Sequence, residues 1–109
     1  MIEVISAERC TACNICVNAC PTNVFETVEG GPPRIARQDD CQTCFMCELY
    51  CPEDALYVAP IADRSATAEE RDAAAAALMG SYRSAVGWGR GRQSTASADA
   101  SFELLRRAH

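Results

Sequence analysis

Every cysteine in this chain falls into one of two identical spacings. The first runs from Cys10 to Pro21, C-T-A-C-N-I-C-V-N-A-C-P, and the second from Cys41 to Pro52, C-Q-T-C-F-M-C-E-L-Y-C-P. Each copy is C-x2-C-x2-C-x3-C-P, and none of the 8 cysteines is left over. Three thiols at such short intervals converge only if the backbone coils tightly, so each three-cysteine run is expected to be a loop hugging what it holds. Zinc sites pair two short cysteine hooks, or one hook with histidines, and have no use for a third cysteine at the same interval plus a fourth before proline. Disulfides need an oxidising compartment. Met1-Ile2-Glu3-Val4-Ile5 leads almost directly into the first run and does not read as an export signal, so a cytoplasmic protein is expected.

The spacing is a ligand run for iron–sulfur cubes, in which the fourth cysteine of each run reaches the other cube when there are two. On that rule one [4Fe–4S] cluster takes Cys10, Cys13, Cys16 and Cys51, and the second takes Cys41, Cys44, Cys47 and Cys20. The fourth cysteine is expected to start a helical turn directed away from its own loop. Pro21 and Pro52 push the residue before them toward extended geometry, which aims Cys20 and Cys51 across the domain. Ile15, Val17, Phe45, Met46 and Leu49, lying among the ligands, are expected to keep water from the cubes.

Laying Cys10 on Cys41 also aligns Val4 with Ile35, Glu8-Arg9 with Asp39-Asp40, Phe25 with Leu56 and Thr27 with Val58, which makes the two runs an internal repeat. Each half reads as strand, ligand loop, helical turn, strand. Met1 to Ile5 is expected to pair with Val24 to Val28, and Arg34 to Arg37 with Ala55 to Val58, with Glu29-Gly30-Gly31-Pro32-Pro33 as the turn between halves. Residues 1–59 resemble a bacterial-type ferredoxin with two [4Fe–4S] clusters. The resemblance implies an α+β fold of two pseudo-symmetric halves and low-potential one-electron transfer. A core this small needs its metals to stand, so removing the iron should unfold residues 1–59.

Charge is uneven. Residues 1–59 carry Arg9, Arg34 and Arg37 against nine acids, whereas residues 60–109 carry seven arginines against six acids. An acidic cluster domain argues against nucleic acid and for a partner with a basic docking patch. No apolar run reaches the roughly 20 residues needed to cross a bilayer, so membrane insertion is not expected.

After Val58 the composition changes. Ala59 to Ser65 reads as a connector, and Thr67-Ala68-Glu69-Glu70 has the form of a capping box. The alanine-rich run that follows predicts a helix over about 68–86, with Ala75, Leu78, Met79, Tyr82 and Val86 on one apolar face and Gly80 as a soft point. An arm rich in glycine, arginine and tryptophan comes next, and Asp99 to His109 reads as a short terminal helix.

Leu78, Met79, Tyr82, Trp88, Arg90 and Phe102 are the candidate partner-binding residues, since tryptophan and arginine dominate interfaces. The stretch C-P-E-D-A-L-Y-V-A-P-I-A-D is similar to the corresponding join in the β subunit of adenylylsulfate reductase. There a two-cluster domain is followed by a tail that embraces a flavin-containing subunit. That resemblance implies an architecture, with an FAD-containing catalytic subunit as partner and an external electron carrier at the other cluster. The alternative is a free, diffusible low-potential ferredoxin whose tail covers its own domain. No arrangement of residues suggests catalysis, and the single histidine, His109, is the last residue.

Overall fold

The computed structural model describes residues 1–98 of the chain. Phe102 and the expected terminal helix lie outside the described residues. The architecture is α+β, and it is two-fold. Strand β1 (Ile2–Ile5), helix α1 (Ile15–Ala19) and strand β2 (Phe25–Val28) are followed by β3 (Gly31–Ile35), α2 (Met46–Tyr50) and β4 (Leu56–Val58). Cys10 and Cys41 set an offset of 31 residues, and α1 maps onto α2 under that offset. The backbone repeats in detail. Among the described residues, the six non-glycine residues with positive φ form three pairs at the same offset: Ala12 and Thr43, Asn14 and Phe45, Asn23 and Asp54.

The strands do not pair as the sequence suggested. β1 runs antiparallel to β4, with Ile5 opposite Leu56 and Ile2 opposite Val58, and β2 runs antiparallel to β3, with Phe25 opposite Ile35. The reason is local. Val28 faces Gly31 across a turn at Glu29 and Gly30, where Gly30 supplies a φ of +75°, so β2 and β3 close as a hairpin. The supposed linker is therefore mostly strand. Pro32 and Pro33 lie in β3, which tolerates missing N–H groups because a two-stranded sheet is all edge. Residues 36 and 37 fall outside that strand, and their N–H groups both donate to the Val24 carbonyl at 3.0 Å.

Ile2, Val24, Phe25, Leu56 and Val58 make one small core with Ala55 and the buried Cys16, Cys47 and Cys51. A third of that core is sulfur ligand.

The helix expected over 68–86 is two helices, α3 (Ala68–Ala77) and α4 (Ser81–Ala85). The Thr67 hydroxyl accepts from the Glu70 N–H while the Glu70 carboxylate accepts from the Thr67 N–H, so the capping box forms as read. Gly80 is where the helix breaks, with φ +70°. The expected apolar face breaks with it: Ala74 is buried, while Ala75 and Leu78 are exposed.

Gly80 also lies close against residues 54–56. Its N–H donates to the Leu56 carbonyl at 2.9 Å, and a Cβ there would lie 2.5 Å from Asp54 Oδ1. Helix propensity alone favours alanine over glycine by about 1 kcal/mol. Here the sign should reverse. Gly80→Ala is expected to destabilise the protein by roughly 2 kcal/mol through the left-handed backbone and the clash, and a stabilised variant in a denaturant melt would refute this.

The chain from Ser65 to Arg92 lies against its own domain. Glu3 is 7% exposed and accepts from the Ala66 N–H and from Gln38 Nε2. Glu48 is 1% exposed, and its two oxygens accept from the Val58 N–H at 2.9 Å and the Tyr82 N–H at 2.7 Å. Burial pushes the Glu48 pKa up, against the pull of the Val58, Tyr82 and Arg83 N–H groups. Tyr82 stacks on Phe45 with ring centroids 4.6 Å apart, and Trp88 meets Tyr50 edge-on at 5.4 Å. Arg83 donates to the Leu49 carbonyl at 3.2 Å, and Arg92 pairs with Asp54.

Apart from Glu3 in β1, these anchors sit where the repeat fails. Phe45, Glu48, Leu49, Tyr50 and Asp54 stand at the positions that Asn14, Val17, Asn18, Ala19 and Asn23 hold in the first half. The tail therefore rests mainly on the second half of a nearly symmetric domain, with Glu3 as its hold on β1.

Candidate metal centres

The two ligand loops are shaped by left-handed residues. Ala12 and Asn14 in the first, and Thr43 and Phe45 in the second, have φ between 52° and 62°. Such a conformation costs about 1 kcal/mol each for Ala12, Thr43 and Phe45, and it turns successive N–H groups inward. The Ala12 N–H donates to Cys10 Sγ and the Thr43 N–H to Cys41 Sγ, each at 3.4 Å. Cys16 and Cys47 lie within α1 and α2, side by side at the domain centre.

Cys20 and Cys51 are the residues at which those helices end, and the helical turn comes before each of them. The turn was expected to start at the fourth cysteine. It instead begins one residue before the third, because Asn14 and Phe45 in left-handed geometry launch the helices. Pro21 and Pro52 act as expected: Cys20 has φ −69°, ψ 119° and Cys51 φ −78°, ψ 110°. Their sulfurs accept from the Val24 N–H and the Ala55 N–H, both at 3.4 Å.

Cys20, Cys41, Cys44 and Cys47 all line one small cavity, together with Ile2, Val24, Phe25, Phe45 and Val58. On the other side, burial pushes the Cys16 thiol up to about 11 against the Val17 N–H, and the charges of Cys51, Cys10 and Cys13 push the same way. Burial likewise drives the Cys47 thiol far up, against the Glu48 N–H, with Cys16, Cys41 and Cys44 adding to it. Cys20 differs: burial raises it, but the N–H of Val24 and the N–H and hydroxyl of Thr22 together pull it below the ordinary thiol value.

Sulfurs that face one another in this way suit a cationic centre. Each set offers four soft donors, and the N–H groups aimed at sulfur favour the thiolate over the thiol. The residues present therefore fit two iron–sulfur cubes. Among the described residues no three such side chains gather closely enough for one single metal ion.

The shielding residues are less uniform than expected. Phe45 lines the cavity, and Val17, Met46 and Leu49 are half-buried, but Ile15 is 39% exposed and cannot shield much. Of the candidate partner residues, Leu78, Tyr82 and Trp88 remain 42%, 37% and 42% exposed, Met79 is half-buried and Arg90 is exposed. Tyr82 and Trp88 reach the second cysteine run, through Phe45 and Tyr50. Reading the sequence missed Glu3, Glu48 and Asp54 as anchors. The signal for Glu48 was present, as a carboxylate between two ligands where the other half has valine.

No helix among the described residues is long and apolar enough to cross a membrane. Residues 9–56 match the family described as the 4Fe-4S dicluster domain. A ferredoxin of Methanothermococcus thermolithotrophicus is 43% identical over 56 residues, covering 50% of this chain and 92% of that protein. An uncharacterized ferredoxin of Methanocaldococcus jannaschii is 50% identical over 48 residues, 44% of this chain and 76% of that protein. The ferredoxin-type protein NapF of Escherichia coli is 38% identical over 46 residues, 28% of its own length. No solved structure matches the chain. Paired left-handed loops, inward N–H groups and two sets of facing sulfurs thus meet a family match over the same residues. The chain belongs to the bacterial-type ferredoxins, electron-transfer proteins with two [4Fe–4S] clusters.

Proposed function

We propose that this chain is a self-braced carrier of single electrons, with one cluster on Cys10, Cys13, Cys16 and Cys51 and the other on Cys41, Cys44, Cys47 and Cys20. When bound, each cube takes up and releases one electron at a potential set by its surroundings. The protein's part is positional. Crossing Cys20 and Cys51 between halves ties α1 to α2 and keeps the two centres close. The observation that carries the brace is Glu48, a buried carboxylate that binds β4 and α4 through two backbone N–H groups. A carrier in the cytoplasm, where thiolate-ligated iron persists, fits this reading.

A second reading is favoured by Leu78, Tyr82 and Trp88, which stay partly exposed after the tail has docked. In it their outer face meets an FAD-containing catalytic subunit, and an external carrier with a basic patch approaches the acidic cluster domain. Both readings share the same one-electron chemistry. Anaerobic affinity purification from the native host, with a flavin assay and mass spectrometry, separates them. The brown protein is expected to elute alone. A stoichiometric flavoprotein lost on Trp88→Ala would establish the subunit reading instead.

A further inference from the structure

The two sets of sulfurs receive different numbers of hydrogen bonds. Three donors are common to both halves: Ala12 and Thr43 to the first cysteine of each run, Val17 and Glu48 to the third, and Val24 and Ala55 to the crossing cysteine. Two more donors have no counterpart. The Ile2 N–H lies 3.4 Å from Cys41 Sγ, whereas the residue at the equivalent position beside Cys10 is Pro33, which has no N–H. The Thr22 hydroxyl lies 3.7 Å from Cys20 Sγ, whereas the equivalent position after Cys51 is Glu53, which as a carboxylate can donate nothing.

A donor aimed at a ligand sulfur favours the more negative, reduced state of the cluster, and so does contact with water. Burial is mixed: it acts more strongly on Cys47 than on Cys16, but exposure at the crossing cysteine runs the other way. Cys13 and Cys44 are both exposed and Cys16 and Cys47 both buried, but Cys20 is half-exposed while Cys51 is buried. The Tyr82 ring, which would lower the local dielectric, lies behind Phe45 and touches no sulfur through a hydrogen bond.

We infer that the two clusters are inequivalent, the one on Cys41, Cys44, Cys47 and Cys20 being the easier to reduce, with Ile2 and Thr22 as the residues that set its potential. This rests on the crossed ligand sets proposed above. The electron then has a resting side, and that side is the half on which the tail is docked.

The test is an anaerobic redox titration of the full holoprotein followed by electron paramagnetic resonance. Two steps are expected, separated by about tenfold or more in their reduction equilibria, which is 59 mV for one electron. Thr22→Val should lower the higher step alone, and Pro33→Ala, which restores a donor beside Cys10, should raise the lower step alone. Coincident midpoints in the unmodified protein, or variants that move neither step, overturn the inference. If both variants move the same step, Cys20 and Cys10 serve one cluster, and the crossed ligand sets fail with it. An iron count of the variants confirms that both centres are loaded.

Discussion

Anaerobic chelation of the iron is expected to abolish the cooperative fold of the cysteine-bearing domain, with loss of near-ultraviolet circular dichroism and of dispersed amide resonances. The apolar core is small, and three of its nine members are Cys16, Cys47 and Cys51. Around it, six of the described non-glycine residues hold positive φ, and the three that are neither Asn nor Asp cost about 1 kcal/mol each. Nothing in the sheets offsets this: each sheet has two strands, and an isolated two-stranded hairpin is marginal in water. Metal-binding free energy is then folding free energy. An iron-free protein that still melted cooperatively would show that the core and tail suffice without the metal.

Glu48→Ala should release the tail while leaving the clusters in place. The substitution strips the acceptor from the Val58 and Tyr82 N–H groups, and a buried donor left unpaired costs about 1–3 kcal/mol. We expect a total loss of roughly 3 kcal/mol, less whatever water recovers by entering the site. The Asp54–Arg92 pair is partly exposed and is worth under about 1 kcal/mol, so it cannot hold the tail alone. Hydrogen exchange should show the Gly80 and Tyr82 amides losing protection in Glu48→Ala, with the iron–sulfur absorbance unchanged. Glu48→Gln, which keeps one accepting oxygen, should fall between. Unaltered protection at both amides would mean that the aromatic contacts of Tyr82 and Trp88 carry the docking.

The two variants act on different levels of the structure. With the crossed ligand sets proposed above, iron would hold the halves to each other, and Glu48 holds the tail to α2 and β4. The electron-transfer chemistry depends on the first. Which face of the protein is left open to a partner depends on the second.

The sequence determined the ligands and the repeat. Eight cysteines at two identical spacings, each closed by proline, leave little freedom, because three thiols at such intervals force the backbone to coil whatever lies around them. The capping box at Thr67 was legible for the same reason: its bonds are between near neighbours in the chain. The strand partners were not legible. β1 and β2 look like a pair along the sequence, but a hairpin at Gly30 takes β2 first, and β1 must then find β4 more than fifty residues away. Nor was the tail's resting place. Gly80 read as a weak point in a helix, yet it permits the close approach to Asp54. Glu48 read as one more acid, yet it is buried because two distant N–H groups converge on it. Spacing along the chain fixes what neighbours can do together. Only the tertiary structure decides which distant donors and acceptors meet.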